Sequence, residues 1–573
     1  MSIPAFAIGP GPGERIMFER HGNMIETDVL IIGAGAGGMI AALEAKRSGS
    51  PGTRVTIVDS WTVGRSGQTA FSNAWSVVVT PNDDLETIHT EIIQGCDGIA
   101  DQRLVHEVLA SSYEQLKELE AIGLHYPRDG NDEYLHKPTR GLDHARVMSP
   151  KGGGLEFSWR LRCALEEAGV MVLDRIFITG LMRGSGAGIA GAVGIHSRSG
   201  EFHVLKARST VVATNAVTFR SGFVRDLTGT GTLLAYRAGA ALRDAEFSYL
   251  RPTTPKFYFE GITFAIQEGA RFVNQAGEAF MANYEPARGD QTDVHRLSYA
   301  MAMERQAGRD PLYLDMTAVP KEKHGYFINS NVAWMKCFFT KLGSEARTDM
   351  FGKTPYFASN QMTKMSLRTD TECRSDVPGL LAAGLAQAGC ANHFAGFSIA
   401  MCIGTGRIAG RSAIQELDSL PTPTMDMAEI GSLKEATYEP LENGVTAKSD
   451  DLLHALQTIM FDYNVSIWKH ADRLSDALAG VKDLGEKLAS LNAPHTHELV
   501  RLKETEAMVL AAEIILRASL MRTETRLSHF REDHELRNDA EWLFWIDVTE
   551  KDEAPSLSKT SIPTPLVDMA GTG

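Results

Sequence analysis

The 573-residue chain has only six cysteines, Cys96, Cys163, Cys337, Cys373, Cys390 and Cys402. They lie far apart with no C-x-x-C pair, which excludes a local iron–sulfur ligand run and a zinc ribbon, and buried reduced thiols are the expected state. No apolar run is long enough to span a bilayer, and the first residues lack the basic-then-apolar order of a signal peptide. A cytoplasmic protein without direct membrane insertion is the expectation. Basic charge is also scarce: 57 Lys and Arg face 72 Asp and Glu, and the net charge of -15 is spread along the chain. That balance argues against nucleic acid or an anionic membrane as the main partner. Internal repeats and low-complexity tracts are missing as well. What remains is a chain with 43% apolar and 23% charged residues, long enough for about two to four domains.

The strongest signal lies near the start. Thr27 opens TDVLIIGAGAGGMIAALEAKRSG, an apolar strand, a glycine turn and an Ala-rich helical stretch, followed by the strand RVTIVDS. This order is a β-α-β unit. Gly33, Gly35 and Gly38 fill the three glycine positions of G-x-G-x-x-G, with Gly37 between them. The first serves the tight turn, the second lets the backbone approach a pyrophosphate, and the third allows helix to pack on sheet. A helix N-terminus then faces the phosphates. Asp59, followed by Ser60, ends the second strand, where a carboxylate can accept from a ribose diol.

Later segments have the look of further cofactor contacts: Arg65, Ser66, Gly67 and Thr69 after the second strand, Ala213 and Thr214 at the end of STVVATN, and Thr230 in TGTG. Residues 251–354 carry aromatic-rich stretches such as PKFYFEGITF and MKCFFTKLG and read as an inserted lid. The chain returns to strand, loop and helix in PGLLAAGLAQAGCANHFAGFSIA, which supplies Ser398 and Ile399, and then turns helical with i, i+3, i+4 apolar spacing. With the late run Glu524-Thr525-Arg526 and His529-Phe530-Arg531-Glu532-Asp533, these segments resemble the flavoprotein subunit family of succinate dehydrogenase, fumarate reductase, L-aspartate oxidase and adenylylsulfate reductase, from Thr27 to about Trp542. The resemblance implies an α/β fold: a Rossmann-like FAD-binding domain over 24–250 and 355–420, an inserted α+β capping domain over 251–354 and a helical C-terminal domain over 446–573. It also implies FAD as cofactor and, as partner, a small iron–sulfur, ferredoxin-like subunit. An oligomeric assembly is implied too, together with a catalytic arginine, for which Arg296 in VHRLSY is the match. Glu268, like Glu260, falls near family acids that could relay protons.

The departures from that family bear on substrate. Where relatives read R-S-H-T, with a histidine carrying covalent flavin, this chain reads Arg65-Ser66-Gly67-Gln68. Arg251 stands in F-H-P-T, Gln361 in H-Y-T-x-G-G and His393 in G-A-N-R, so three groups that grip succinate or fumarate are replaced. Arg251 could clamp an oxyanion bidentately or pair locally, and His393 could act as acid, base or anion ligand or sit as a core histidine. The function implied is hydride transfer between flavin N5 and a small anionic substrate other than succinate or fumarate, with electrons exchanged with a separate partner. The alternatives are a stand-alone oxidase resembling L-aspartate oxidase, an adenylylsulfate reductase-like subunit, and an electron-transfer subunit without its own substrate. His495 and His497 read as a polar turn, and no metal is expected.

Two outcomes follow from the glycines. Acid precipitation should release all flavin into the supernatant, because Gly67 offers no nucleophile; colour left in the pellet contradicts this. Gly35→Val should yield a colourless protein, since its side chain takes the space the pyrophosphate needs.

Overall fold

The computed structural model describes residues 23–569 apart from 185–187, 215, 221–226, 256–260, 329–350, 393, 422, 443–448 and 489. The described residues open with strand β1 (Asn23–Ile32), helix α1 (Ala36–Ser48), β2 (Val55–Asp59) and the short α2 (Gly67–Phe71). β3 (Met171–Asp174), β4 (Ile176–Arg183), β5 (Ile189–His196) and β6 (Phe202–Val212) complete the main sheet in the order β3-β2-β1-β6-β5-β4. β1, β2, β3 and β6 run parallel, whereas β4, β5 and β6 pair antiparallel. Successive residues of β1 point to opposite faces. Leu30 and Ile32 join the cluster that includes the C-terminal helices, and Val29 and Ile31 join the one around α1. A strand buried on both faces needs an unbroken apolar run, and VLII is one.

β7 (Ser248–Thr253), β8 (Arg271–Val273), helix α3 (Val294–Gln306), β9 (Leu312–Asp315) and β10 (Lys353–Thr363) form the cap, with an antiparallel sheet in the order β7-β10-β9-β8. Its own core holds Leu250, Phe272, Leu297, Met301, Leu314 and Tyr356. The cap sheet thus runs from Ser248 to Thr363, wider than the 251–354 expected. β11 (Leu380–Ala382) rejoins the main sheet beside the last residues of β6, and α4 (Phe397–Glu416) packs against α1. Gly406 and Gly410 make that crossing: a Cβ on either would lie 2.5 Å from Gly37 O or 2.4 Å from Ala41 O.

Beyond it, α5 (Ala471–Leu488) buries Leu474, Ala477, Val481, Leu484 and Leu488 on one face against α6 (Thr496–Met521), the spacing the sequence announces. His495 caps α6, its Nδ1 accepting from Glu498 N–H. The C-terminal region is not helical throughout. β12 (Phe544–Lys551) and β13 (Ala554–Ser561) form a hairpin whose first strand pairs with Leu242 and Arg243. Among the described residues no helix is long and apolar enough to cross a membrane.

The family-like run around Glu524 and His529 is a buried ionic lock. Arg522 donates to Glu246 (2.9 Å) and Glu524 (2.8 Å), and Arg526 grips Glu524 through two nitrogens (2.6 and 2.8 Å). Arg522 and Glu524 are fully buried, so removal of one partner would strand the other charge in a low-dielectric interior. Lys469 sits beside them, donating to Glu246 O, Ser519 Oγ and His529 Nδ1. His529 faces Arg522 O with its other nitrogen (3.1 Å), which fits the neutral Nε2–H tautomer. Burial, with Lys469 and Arg522 nearby, holds its pKa well below the ordinary histidine value.

Burial also drives the Lys469 pKa down to about 7, opposed by Glu246 and assisted by Arg531. The folded value lies below the ordinary 10.5, so the unfolded chain binds more protons between the two, and stability rises with pH across that window. Going from pH 7 to about pH 9.5 should therefore favour the wild type over Lys469→Met by up to about 3 kcal/mol in paired denaturant melts. A gap that does not move with pH would show that Lys469 is not the group titrating.

Candidate functional site

The cradle is built where β1 hands over to α1. Gly33 takes φ of 102°, and a Cβ there would sit 2.7 Å from Ala213 O, so only glycine fits the turn. A Cβ on Gly38 would lie 1.9 Å from Gly33 O, and one on Gly37 would lie 3.0 Å from Gly384. These two glycines seat the helix. Gly35 differs, because a Cβ there would meet only Thr69 Oγ1, at 3.6 Å; the space beside it belongs to a cavity. Thr69 Oγ1 accepts from Ala36 N–H (3.1 Å), tying α2 to the first turn of α1. Asp59 secures the other side of the turn, its oxygens accepting from Ala34 N–H and Trp61 N–H, both at 2.8 Å. Ionised carboxylate oxygens retain further lone pairs for a ribose hydroxyl.

Two cavity arms meet at Gly35, Thr69, Ala213 and Thr214. One arm runs past Gly33, Asp59, Ser60, Ser66, Gly67 and Thr230. The other is walled by Gly37, Ser398 and Ile399 and opens towards the cap. Of the expected cofactor contacts, Gly38 lies beneath the helix outside both linings, and Arg65 is exposed with its guanidinium 4.1 Å from the centroid of the Trp159 ring. Ser66 stands at the N-cap position of α2 without a side-chain cap, its hydroxyl donating to Thr62 O (2.7 Å). The donor set fits FAD. The arms bend around a glycine with open space beside it, a helix N-terminus borders the junction, and the buried Thr214 Oγ1 there has no protein partner. Such an arrangement suits an extended dinucleotide whose pyrophosphate passes the helix end.

The cap-side arm carries two buried arginines. Arg251 comes from β7, with Tyr249 two residues before it on the same face, and Arg140 comes from an irregular loop of the FAD-binding side; all three line the arm. Arg140 donates through Nε to Thr263 Oγ1 (3.3 Å) and through Nη1 to Asp290 O (2.6 Å) and Thr292 O (3.0 Å), while Nη2 has no partner. Burial pushes its pKa down to about 10, with Asp293, Asp290 and Tyr249 opposing and Arg251 adding to the drop. Sequence reasoning missed Arg140; its only signal is a lone cation between Pro138 and Gly141 in a stretch without strand or helix period.

Two other residues expected at the substrate, Arg296 and Glu268, lie outside this arm. Asp293 caps α3 by accepting from His295 and Arg296 N–H, and Val294 lines the cavity. At roughly 100° per residue, Arg296 is turned about 200° from Val294, and it is exposed, its guanidinium 5.8 Å from the centroid of the Phe530 ring. The role that the resemblance implies for Arg296 therefore has no geometric basis in this conformation. Glu268 lies at the end of the helix Ile262–Gln267, paired with Lys323 at 3.2 Å and outside the lining. His393 and Glu260 fall outside the described residues, and Gln361 belongs to β10. Buried His295 joins the cap to the rest: its Nδ1 accepts from Leu250 N–H (3.3 Å) and its Nε2–H donates to Asn392 Oδ1 (2.8 Å). Burial lowers its pKa, against the pull of Asp293 and Asn392, which suits the neutral form that this bonding requires. Among the described residues no group of His, Cys, Asp and Glu could hold a metal ion.

Comparison with known proteins agrees with this geometry. The family model for the FAD binding domain matches residues 28–398, and that for the fumarate reductase flavoprotein C-terminus matches 453–569. A fumarate reductase (CoM/CoB) subunit of Methanothermobacter marburgensis is 27% identical over 541 residues, covering 89% of this chain and 95% of the relative. The flavoprotein subunit of the 8-methylmenaquinol:fumarate reductase of Wolinella succinogenes is 26% identical over 559 residues, covering 91% and 88%. The flavoprotein structure of E. coli quinol fumarate reductase superposes with a TM-score of 0.85 at 18% identity, over 96% of this chain and 100% of that one. With both family models matched in order and a cavity that fits the dinucleotide, the chain belongs to the FAD-dependent oxidoreductases of the fumarate reductase and succinate dehydrogenase flavoprotein family.

Proposed function

We propose that this flavoprotein is a dehydrogenase or reductase of a small anionic organic substrate other than succinate or fumarate. The observation that carries the reading is the shared cavity, in which the dinucleotide cradle at Gly35 and Thr69 opens onto the buried guanidiniums of Arg140 and Arg251. A buried guanidinium with a nitrogen that has no acceptor, as Nη2 of Arg140, favours an anion in the cavity, and guanidiniums match carboxylate, sulfonate or phosphate oxygens. FAD bound along the two arms would supply the hydride chemistry at N5. The protein's part is to hold the anionic end of the substrate through Arg251 and Arg140, to exclude water beneath the cap, and to align the reacting carbon.

The substrate differs from the C4-dicarboxylates because the groups at 251, 361 and 393 are Arg, Gln and His. Electrons pass to or from a separate protein. An iron–sulfur, ferredoxin-like subunit is the partner that suits a chain whose cysteines form no cluster motif, and the Methanothermobacter and Wolinella relatives are themselves subunits.

Turnover of succinate or fumarate should stay below about 1 per second, measured with an artificial electron carrier; a faster rate overturns the exclusion. In an anaerobic screen, anionic compounds should include one that bleaches or reoxidises the flavin. Arg251→Met should raise its KM by about tenfold or more while the flavin content stays at wild-type level, as expected for a lost charged hydrogen bond. An oxygen electrode with that compound separates a partner-dependent enzyme from an oxidase.

A further inference from the structure

Arg140 holds the cap and faces the substrate cavity with the same guanidinium. Its loop is anchored on the FAD-binding side. Thr139 Oγ1 donates to Ala395 O (2.8 Å), and the Glu91 carboxylate, on the helix Leu85–Gly95, accepts the backbone N–H groups of Asp143, His144 and Ala145. From this base the side chain reaches Thr263, Asp290 and Thr292, all in the cap. Loop and cap are in tight contact beside it: a Cβ on Gly141 (φ 77°) would lie 3.2 Å from Asp293 Cβ. At the surface Arg288 of the cap pairs with Asp143 of the loop through two bonds, at 3.0 and 2.8 Å.

The charge of Arg140 is not met by these contacts. Its bonds go to two carbonyls and a hydroxyl. Among the described residues, the carboxylates nearby are engaged elsewhere, Asp293 in capping α3 and Asp290 in accepting from Phe272 N–H (2.8 Å). Arg251 adds a second positive charge on the same cavity, and Nη2 of Arg140, buried, has no partner.

We propose that Arg140 is a latch shared between the cap and the substrate anion, so that an anion in the cavity draws the cap shut. This rests on the reading of the cavity as an anion site and adds the coupling. Without an anion, closing the cap buries a guanidinium that two carbonyls cannot neutralise. With one, Nη2 gains an acceptor and the same closure becomes favourable, so anion binding and closure reinforce each other. Arg140 acts here as a positioning residue as well as a ligand.

The test uses the FAD-loaded enzyme, with malonate and sulfate as probe anions and malonamide as the neutral control. Cap opening is read by limited trypsin digestion and by iodide quenching of flavin fluorescence. In the wild type at least one anion should slow cap cleavage and quenching by about fivefold or more, and malonamide should do neither. Arg140→Met should keep stoichiometric flavin and lose the anion effect, and Arg140→Lys should retain only a small part of it. Asp143→Asn should open the cap at baseline yet keep the fold-protection by anion. Should Arg140→Met fail to take up flavin, Arg140→Lys decides: full protection there overturns the latch. Equal protection in Arg140→Met, or none by either anion in the wild type, overturns it as well. Protection without any anionic substrate would sink the preceding functional reading and leave the latch standing; turnover without protection would do the reverse.

Discussion

The close approach of α1 to its two neighbours governs where everything else can go. On one side the helix lies against its own turn, with the Gly38 Cα so near Gly33 O that no side chain fits; on the other it lies against α4, where Gly37 and Ala41 face Gly406 and Gly410. Two helices crossing at glycine approach more closely than ridges and grooves of larger side chains permit. That crossing brings the segment ahead of α4, with Gly384, Leu385 and Phe394, and the first turn of α4, with Ser398, to the same cavity as the cradle. A methyl group at Gly406 or Gly410 would part the helices and move one wall of the site relative to the other.

A second constraint acts on the far side of the cap. Glu246, two residues ahead of β7, is held by Arg522, and Arg522 shares Glu524 with Arg526. Buried ion pairs of this kind add little net stability but specify one arrangement, since any other leaves a charge unpaired. The orientation of β7, and with it the placement of Tyr249 and Arg251, is thereby set from the C-terminal region as well as from the cap's own sheet.

What could be read from the sequence follows how local each feature is. Gly33, Gly35, Asp59, Thr69, Ala213 and Thr214 line the cavity, and they could be picked out because strand, turn and helix carry their signals within a few residues. Arg65 misled through adjacency: it stands beside Ser66 and Gly67, which line the cavity, but is itself exposed against the Trp159 ring. For Arg296 the helix was legible but its phase was not. Asp293 fixes the first turn, which puts Val294 at the cavity and leaves Arg296, two residues on, outside its lining. Arg140 was invisible because its partners lie 123 to 152 positions away. The terminal hairpin went unread for a different reason. Its turn residues Asp552 and Glu553 both adopt left-handed φ, 50° and 60°, where glycine or asparagine would normally flag such a turn.

That hairpin has a consequence for how the protein is made. Leu242 and Arg243 take partners from Val548 and Asp547, so a short strand laid down before the cap waits for residues 304 positions further on. Arg243 meets Asp547 through two bonds, at 2.7 and 3.0 Å. On a ribosome elongating at roughly 5–20 residues per second, the interval between the two is on the order of tens of seconds. Throughout it, the nascent FAD-binding domain carries an open strand edge and an unpaired guanidinium, features that invite pairing with other chains. The sheet closes only once Phe544–Lys551 has been made, and its closure removes that open edge.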